Sequence, residues 1–147
     1  MDLQEISDRL EIQDLLVEYC YAIDTRNWDA LDDLFTSDAI IDYSEVAGVK
    51  GTLSELKNIL PDGMSVVKAS QHNITTSKIK VEGDRAHGRT ICTNPLVFRS
   101  DGQVGCIGLW YRDEFVRTAK GWRISSRYGE NCWSFNLPSG SEIAGEQ

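Results

Sequence analysis

The chain has 147 residues and a net charge of −8, from 15 basic and 23 acidic side chains, which suits one domain with one hydrophobic core. That acidic balance repels phosphate backbones and anionic bilayers, so neither nucleic acid nor a membrane surface is an expected partner. The opening MDLQEISDRL lacks the apolar run of a signal peptide, and no segment reaches transmembrane length; a cytoplasmic protein is expected.

The four cysteines, Cys20, Cys92, Cys106 and Cys132, have no paired metal-ligand spacing and fall in apolar or strand-like runs. They read as buried free thiols in a reducing compartment, with no structural metal.

In chain order, Asp2 and Glu5 are spaced as a capping box opening a first helix. Apolar residues recur at near-helical period through Ile6, Leu10, Leu15, Leu16, Tyr19 and Ile23. Leu15 to Ile23 carries one charge, Glu18, so this part of the helix is expected to be buried on nearly every side. Thr25-Arg26-Asn27 breaks the pattern, and Asn27 is placed to cap a short second helix with Trp28, Leu31, Leu34 and Phe35 as its apolar stripe. Ala39 to Tyr43 reads as a short strand. Thr52 and Glu55 form a second capping box, and Pro61-Asp62-Gly63 is expected to stop the third helix.

Four strand-like runs follow, Gln71–Val81, Arg85–Phe98, Val104–Arg117 and Trp122–Trp133, joined by turns at Gly83, Gly102 and Gly121. Helices followed by a meander make an α+β order, in one domain covering residues 1–147. Strands this long twist and curl, and helices covering the concave face leave a pocket at the open end. The polar stretch 134–147 reads as a tail or flap.

No phosphate loop, dinucleotide fingerprint, HExxH pair or nucleophile elbow is present, and no cofactor is implied. Acid–base groups remain. Asp24 follows a long apolar helix, at the negative end of its dipole, where an acid is disfavoured and burial would raise its pKa. A local rule broken in this way tends to mark a functional position, although an Asp there could also simply begin the following turn. Of the two histidines, His87 lies among charges beside a turn and reads as exposed. His72, at the start of the first long strand, is the candidate base, or else a satisfied structural residue.

Tyr19-x4-Asp24-x3-Trp28, then Asp38-Ala39-x2-Asp42-Tyr43, Gln71-His72 and Gly121-Trp122-Arg123-Ile124 together resemble the SnoaL-like group of the nuclear transport factor 2-like superfamily. The resemblance runs from about Ile6 to Trp133. It implies a cone-shaped α+β barrel in which three N-terminal helices pack on a strongly curved, mixed, mostly antiparallel sheet. It also implies a small homo-oligomer, dimer or trimer. Within the group the chain looks most like the cofactor-free lyases: scytalone dehydratase, bile acid 7α-dehydratase and hexachlorocyclohexane dehydrochlorinase. In these an Asp matching Asp24 orients a His matching His72, which abstracts a proton. Bile acid 7α-dehydratase has a tyrosine matching Tyr19, scytalone dehydratase one matching Tyr43, and the dehydrochlorinase an arginine matching Arg127. Where scytalone dehydratase carries a second histidine, this chain reads Asn94-Pro95-Leu96.

The resemblance therefore implies a dehydratase- or dehydrohalogenase-type lyase acting on a small, largely apolar cyclic molecule. His72, Asp24, Tyr19 and Arg127 would be catalytic, and Tyr43, Asn131 and Trp133 would bind substrate, with Tyr43 also a candidate proton donor. A polyketide cyclase or isomerase using Asp24 as the proton shuttle, and a non-catalytic small-ligand carrier, are the rival readings. Arg127 raises a question of phase: strict alternation puts it on the opposite face from Ile124, so both face inward only if a bulge at Ser125-Ser126 or Gly129 shifts the register.

Overall fold

The structure is a computed structural model that describes residues 1–138. The first helix, α1 (Leu3–Asp24), opens on Asp2, whose carboxylate accepts from the Glu5 backbone N–H at 2.8 Å. Only that half of the expected box forms, because the Glu5 carboxylate is engaged by Arg9 instead. One face of α1 is buried, with Ile12, Leu15, Leu16, Tyr19, Cys20 and Ile23 in the core. The expectation of burial on nearly every side is corrected: Val17 and Tyr21 are 40% and 66% exposed. The helix packs on strands to one side only, against β4 and β7.

The second helix is a 3₁₀ turn, Trp28–Asp33, and the Asn27 side chain makes no capping bond. Phe35, expected in its stripe, instead begins β1 (Phe35–Tyr43), which starts earlier than the expected Ala39. Two short elements absent from the sequence reading follow, α2 (Ser44–Ala47) and β2 (Val49–Thr52). Four residues are too few to show a period.

The capping box at α3 (Leu53–Gly63) is complete: Thr52 Oγ1 accepts from the Glu55 N–H, and Glu55 accepts from the Thr52 N–H at 2.8 Å. The helix ends at Gly63, the last residue of the expected Pro61-Asp62-Gly63 stop, with Pro61 itself inside its last turn. β3 (Val67–Ser70), also unforeseen, precedes the long strands β4 (Asn73–Glu82), β5 (Arg85–Phe98), β6 (Val104–Thr118) and β7 (Gly121–Phe135). Gly83 and Gly102 take φ of +66° and +70° in the turns, a region costly for residues with a Cβ.

The sheet has seven strands in the order β2-β1-β7-β6-β5-β3, with β4 also pairing β5. β1 runs parallel to β7, and every other pairing is antiparallel. The curled, unclosed sheet with its covering helices is the expected cone-like α+β architecture. Two pairing shifts punctuate β7. Between Glu114–Ser126 and Phe115–Ile124, Ser125 is the extra residue, and between Gly108–Trp133 and Leu109–Asn131, Cys132 is. The first shift answers the question of phase, since Ile124 and Arg127 are 0% and 2% exposed.

Of the expected tail, Ser134 and Phe135 belong to β7, Leu137 packs against the core, and the remainder beyond residue 138 lies outside the described residues. No helix among the described residues is long and apolar enough to cross a membrane. All four cysteines are free, but only Cys20 and Cys92 are buried. Cys132 is exposed at its bulge, which corrects that expectation, and Cys106 is half-buried.

Near the start of α1, buried Asp8 ties the helix to the sheet. Arg117 grips both of its oxygens at 2.7 and 2.8 Å, and the Trp122 indole donates to it at 3.0 Å. The Arg117 bonds, helped by those from Trp122 and Gln4, outweigh burial and hold the carboxyl well below the usual carboxylate range. Its folded pKa therefore lies below its unfolded value of about 3.9. The resulting stability is complete above that unfolded value and is lost progressively as pH falls from there through the folded pKa. Asp8→Asn should cost about 2 kcal/mol at neutral pH, the scale of a charged hydrogen bond, and flatten the acid limb of Tm against pH. Thermal melts of both proteins from pH 3 to 7 check this.

Candidate active site

The cone encloses a cavity of about 870 Å³. Its wall is mostly apolar, drawn from Ile23, Val46, Leu60, Leu96, Phe98, Ile107 and Leu109 among others. The polar groups meeting it include Tyr19, Tyr43, His72, Asn94 and Tyr111, with Asp62, Ser65, Arg99 and Ser100 also in the lining.

Asp24 is the last residue of α1. Gln71-His72 lies in the break between β3 and β4, two strands that share β5 as partner. The helix end and the strand break meet. Asp24 Oδ1 lies 2.6 Å from His72 Nδ1 and accepts from the Ser70 hydroxyl at 2.8 Å, while Oδ2 accepts from the His72 backbone N–H at 2.7 Å. The side chains of His72 and Asp24 are 5% and 19% exposed. Burial pushes the Asp24 carboxyl up, but the His72 ring, its charge and N–H, and Ser70 together outweigh it and leave the pKa lowered. The expected rise is thus corrected, because hydrogen bonds to a carboxylate favour its charged form. With Asp24 ionised, hydrogen-bond chemistry assigns the ring proton to Nδ1, which leaves Nε2 as the basic nitrogen.

Arg26, which the sequence presents only as part of a turn, explains why an acid is tolerated at this helix end. At φ +60° it turns back, donating to the Ile23 carbonyl at 2.7 Å and to Ser70 Oγ at 3.1 Å. Its positive charge stands where the helix dipole is negative. A residue held at positive φ just past a helix is the visible consequence of this arrangement, and no spacing rule announces it.

The Tyr19 and Tyr43 hydroxyls are hydrogen-bonded at 2.5 Å. Behind them is Arg127. Its guanidinium lies over the rings of Tyr111 and Tyr19, 3.9 and 4.2 Å from their centroids, and makes a paired bond to Asp113 at 2.7 and 2.8 Å. Both members of this ion pair are within 1% of full burial. Arg127 supports the tyrosines and is not in the cavity lining. Burial pushes all three phenols up, Tyr19 and Tyr111 far. Tyr43 rises less, because the Arg127 charge and the hydrogen bond from Tyr19 both stabilise its anion.

The structure therefore brings Asp24, His72, Tyr19 and Tyr43 together, with Arg127 one layer behind. Asn131 and Trp133, expected in the wall, do not line the cavity. Beyond the Cys132 bulge the strand is out of phase, and Trp133 is 45% exposed with its indole against Gly108. His87 is half-exposed near Glu82, as expected. Asn94 and Tyr111 were not foreseen as site residues. Both lie on strand faces whose inward phase needs the pairing register. Among the described residues, no group of three His, Cys, Asp or Glu side chains is placed to hold a metal ion.

Comparison with known proteins is consistent with this geometry. The family model of the SnoaL-like domain matches residues 4–128. An uncharacterised protein of Mycobacterium tuberculosis is 46% identical over 134 residues, covering 90% of this chain and 91% of its own. A Kribbella flavida protein of solved structure superposes with a TM-score of 0.83 at 26% identity, over 90% of this chain and 95% of its own. A hexachlorocyclohexane dehydrochlorinase of Novosphingobium barchaimii superposes with a TM-score of 0.78 at 21% identity, over 95% of this chain and 96% of its own. At that identity the likeness is one of fold.

The Arg127–Asp113 pair can be tested by stability alone. Asp113→Ala should destabilise by about 3–5 kcal/mol, because it leaves a buried guanidinium unpaired. Replacing both partners, as Arg127→Met with Asp113→Leu, should recover much of that loss. Denaturant unfolding of the single and double variants measures the difference.

Proposed function

This chain belongs to the SnoaL-like domain family, and we propose that within it the protein is a cofactor-independent lyase working on a small, largely apolar cyclic molecule. The observation that carries the reading is the 2.6 Å contact between Asp24 and the ring of a nearly buried His72 at the wall of an apolar cavity. Elimination needs a base that can both accept and release a proton near neutral pH, and imidazole does so. Asp24 holds the tautomer and stabilises the imidazolium formed as the proton is taken.

In the proposed step, Nε2 of His72 takes a proton from a substrate carbon. The C–H electron pair becomes the new C=C bond, and the C–X bond to the neighbouring leaving group breaks. Tyr43 is the proton donor to that group. The Tyr19 and Tyr43 hydroxyls share a hydrogen bond in which either can donate, and Arg127 stands behind both; in this reading Tyr19 donates to the phenolate left on Tyr43 and the Arg127 charge stabilises it. The imidazolium then returns a proton to the phenolate, and the products are the alkene and HX. Arg127 in this reading is a positioning residue that acts through the tyrosines.

An isomerase would use the same groups, with Tyr43 returning the proton to another carbon of the substrate. The cyclase reading, with Asp24 itself as base, has less support: both oxygens of Asp24 are already occupied by His72 and Ser70.

Asp24→Asn and His72→Ala should each lower turnover about 10²–10⁴-fold, and Tyr43→Phe about 10²-fold, with circular dichroism showing that each variant is folded at the assay temperature even where the Asp24 change lowers Tm. Turnover is read on the members of a panel of cyclic alcohols, hydroxy ketones and chlorocyclohexanes that the wild type consumes. The pH–rate limb expected of an imidazole base should vanish in His72→Gln. Near-wild-type rates in Asp24→Asn or His72→Ala would overturn the mechanism. Binding of panel members without consumption would favour the carrier.

A further inference from the structure

Asp62, Ser65, Arg99 and Ser100 line the cavity and are also exposed, so they mark its mouth. Of the described lining residues, Arg99 alone carries a fixed positive charge. It is fastened in place. Its backbone N–H donates to the Val66 carbonyl at 2.9 Å, and its Nε to the Ser65 carbonyl at 2.8 Å. Among the described residues its two terminal nitrogens have no hydrogen-bond partner and no ion pair, Asp62 on the same rim included. A second cation stands within electrostatic range. Burial and the Arg99 charge both lower the pKa of Arg26, against the pull of Asp24. An anion beside Arg99 would ease that repulsion and fill the open N–H positions.

The pairing of β3 with β5 sets this cation relative to the dyad. Ser70, which donates to Asp24, faces Leu96, and Val67 faces Phe98. Arg99 follows Phe98, so three residues of chain put its backbone about 10 Å beyond that of Leu96. Leu96 and Phe98 give that strip of wall an apolar surface. The cavity therefore offers a proton acceptor at one place, a cation at another and apolar surface between. A planar guanidinium with free N–H groups matches a carboxylate in a two-bond fork. We propose that Arg99 receives a carboxylate of the ligand, so that the substrate class is an apolar ring compound carrying an acid group remote from the carbon that reacts. The placement of that carbon at His72 rests on the lyase reading; the anion site does not. In a chain with 23 acidic side chains, a local cation is what lets an anion approach. Arg99 touches neither the proton that is taken nor the bond that breaks. It selects and orients.

The test is a binding measurement on the full chain, independent of turnover. Dissociation constants of 1-pyrenebutyrate and its neutral counterpart 1-pyrenebutanol are measured by pyrene fluorescence, at neutral pH where the acid is ionised. The wild type should prefer the acid by about fivefold, the upper range of an exposed ion pair, and added salt should shrink the preference. Arg99→Gln should abolish it, and Arg99→Lys, which keeps the charge without the fork, should retain part. Asp62→Asn should raise it about twofold by removing a like charge from the rim. Lys80→Gln, which removes a positive charge outside the lining, should leave it unchanged. The ratio of two probes on one variant cancels any loss of folded protein. The preference should survive in His72→Ala, so failure of the lyase mechanism leaves this result standing. Equal binding of the two probes by the wild type, an acid preference retained in Arg99→Gln, or an equal loss in Lys80→Gln would each overturn the inference.

Discussion

One carboxylate joins the two halves of this protein. Asp24 closes a helix of 22 residues and, across a gap of nearly 50 positions in sequence, accepts hydrogen bonds from Ser70, the His72 backbone and the His72 ring. Those bonds hold the end of α1 against the break between β3 and β4. They aim the imidazole and overcome the cost of burying a charge. An isolated buried carboxylate would neutralise instead. Here the partners make the ionised form the stable one, which is the form able to fix the ring proton on Nδ1.

The second polar layer works by a different balance. Arg127 is a buried cation matched by Asp113, and its remaining faces are covered by aromatic rings. A buried ion pair is weak evidence for stability, since desolvation offsets most of the attraction. Its value in this fold lies in what it does to the groups above it. The low local dielectric that makes the pair expensive also makes its field strong at the phenols, where the Arg127 charge opposes the rise that burial causes in Tyr19, Tyr43 and Tyr111.

The dyad and the tyrosines meet a wall that is mostly apolar, which raises the weight of each polar group on it. The polar positions that remain are informative for that reason. Asn94 lines the cavity where the sequence comparison expected only the loss of a second histidine. The structure puts a hydrogen-bonding group of different chemistry there.

Much was legible from residue order. Capping signals at Asp2 and Thr52, glycine turns and long β-branched runs carry local information, and they located α1, α3 and the four long strands. Asp24 was conspicuous because it violates a local preference, and His72 because imidazoles are scarce here. Trp133, Asn94 and Tyr111 were illegible for a common reason. Which face a strand residue occupies depends on pairing register, and the bulges at Ser125 and Cys132 each reverse it. The backbone conformation of Arg26 and the sign of the Asp24 shift depend on partners from remote segments. The sequence by itself determined the long elements and marked Asp24 and His72 as the candidate pair, since both follow from short-range chemistry. Only the tertiary structure decided that Arg127 and Asp113 stand behind the tyrosines and which residues line the cavity, because those groups meet only once the sheet has curled.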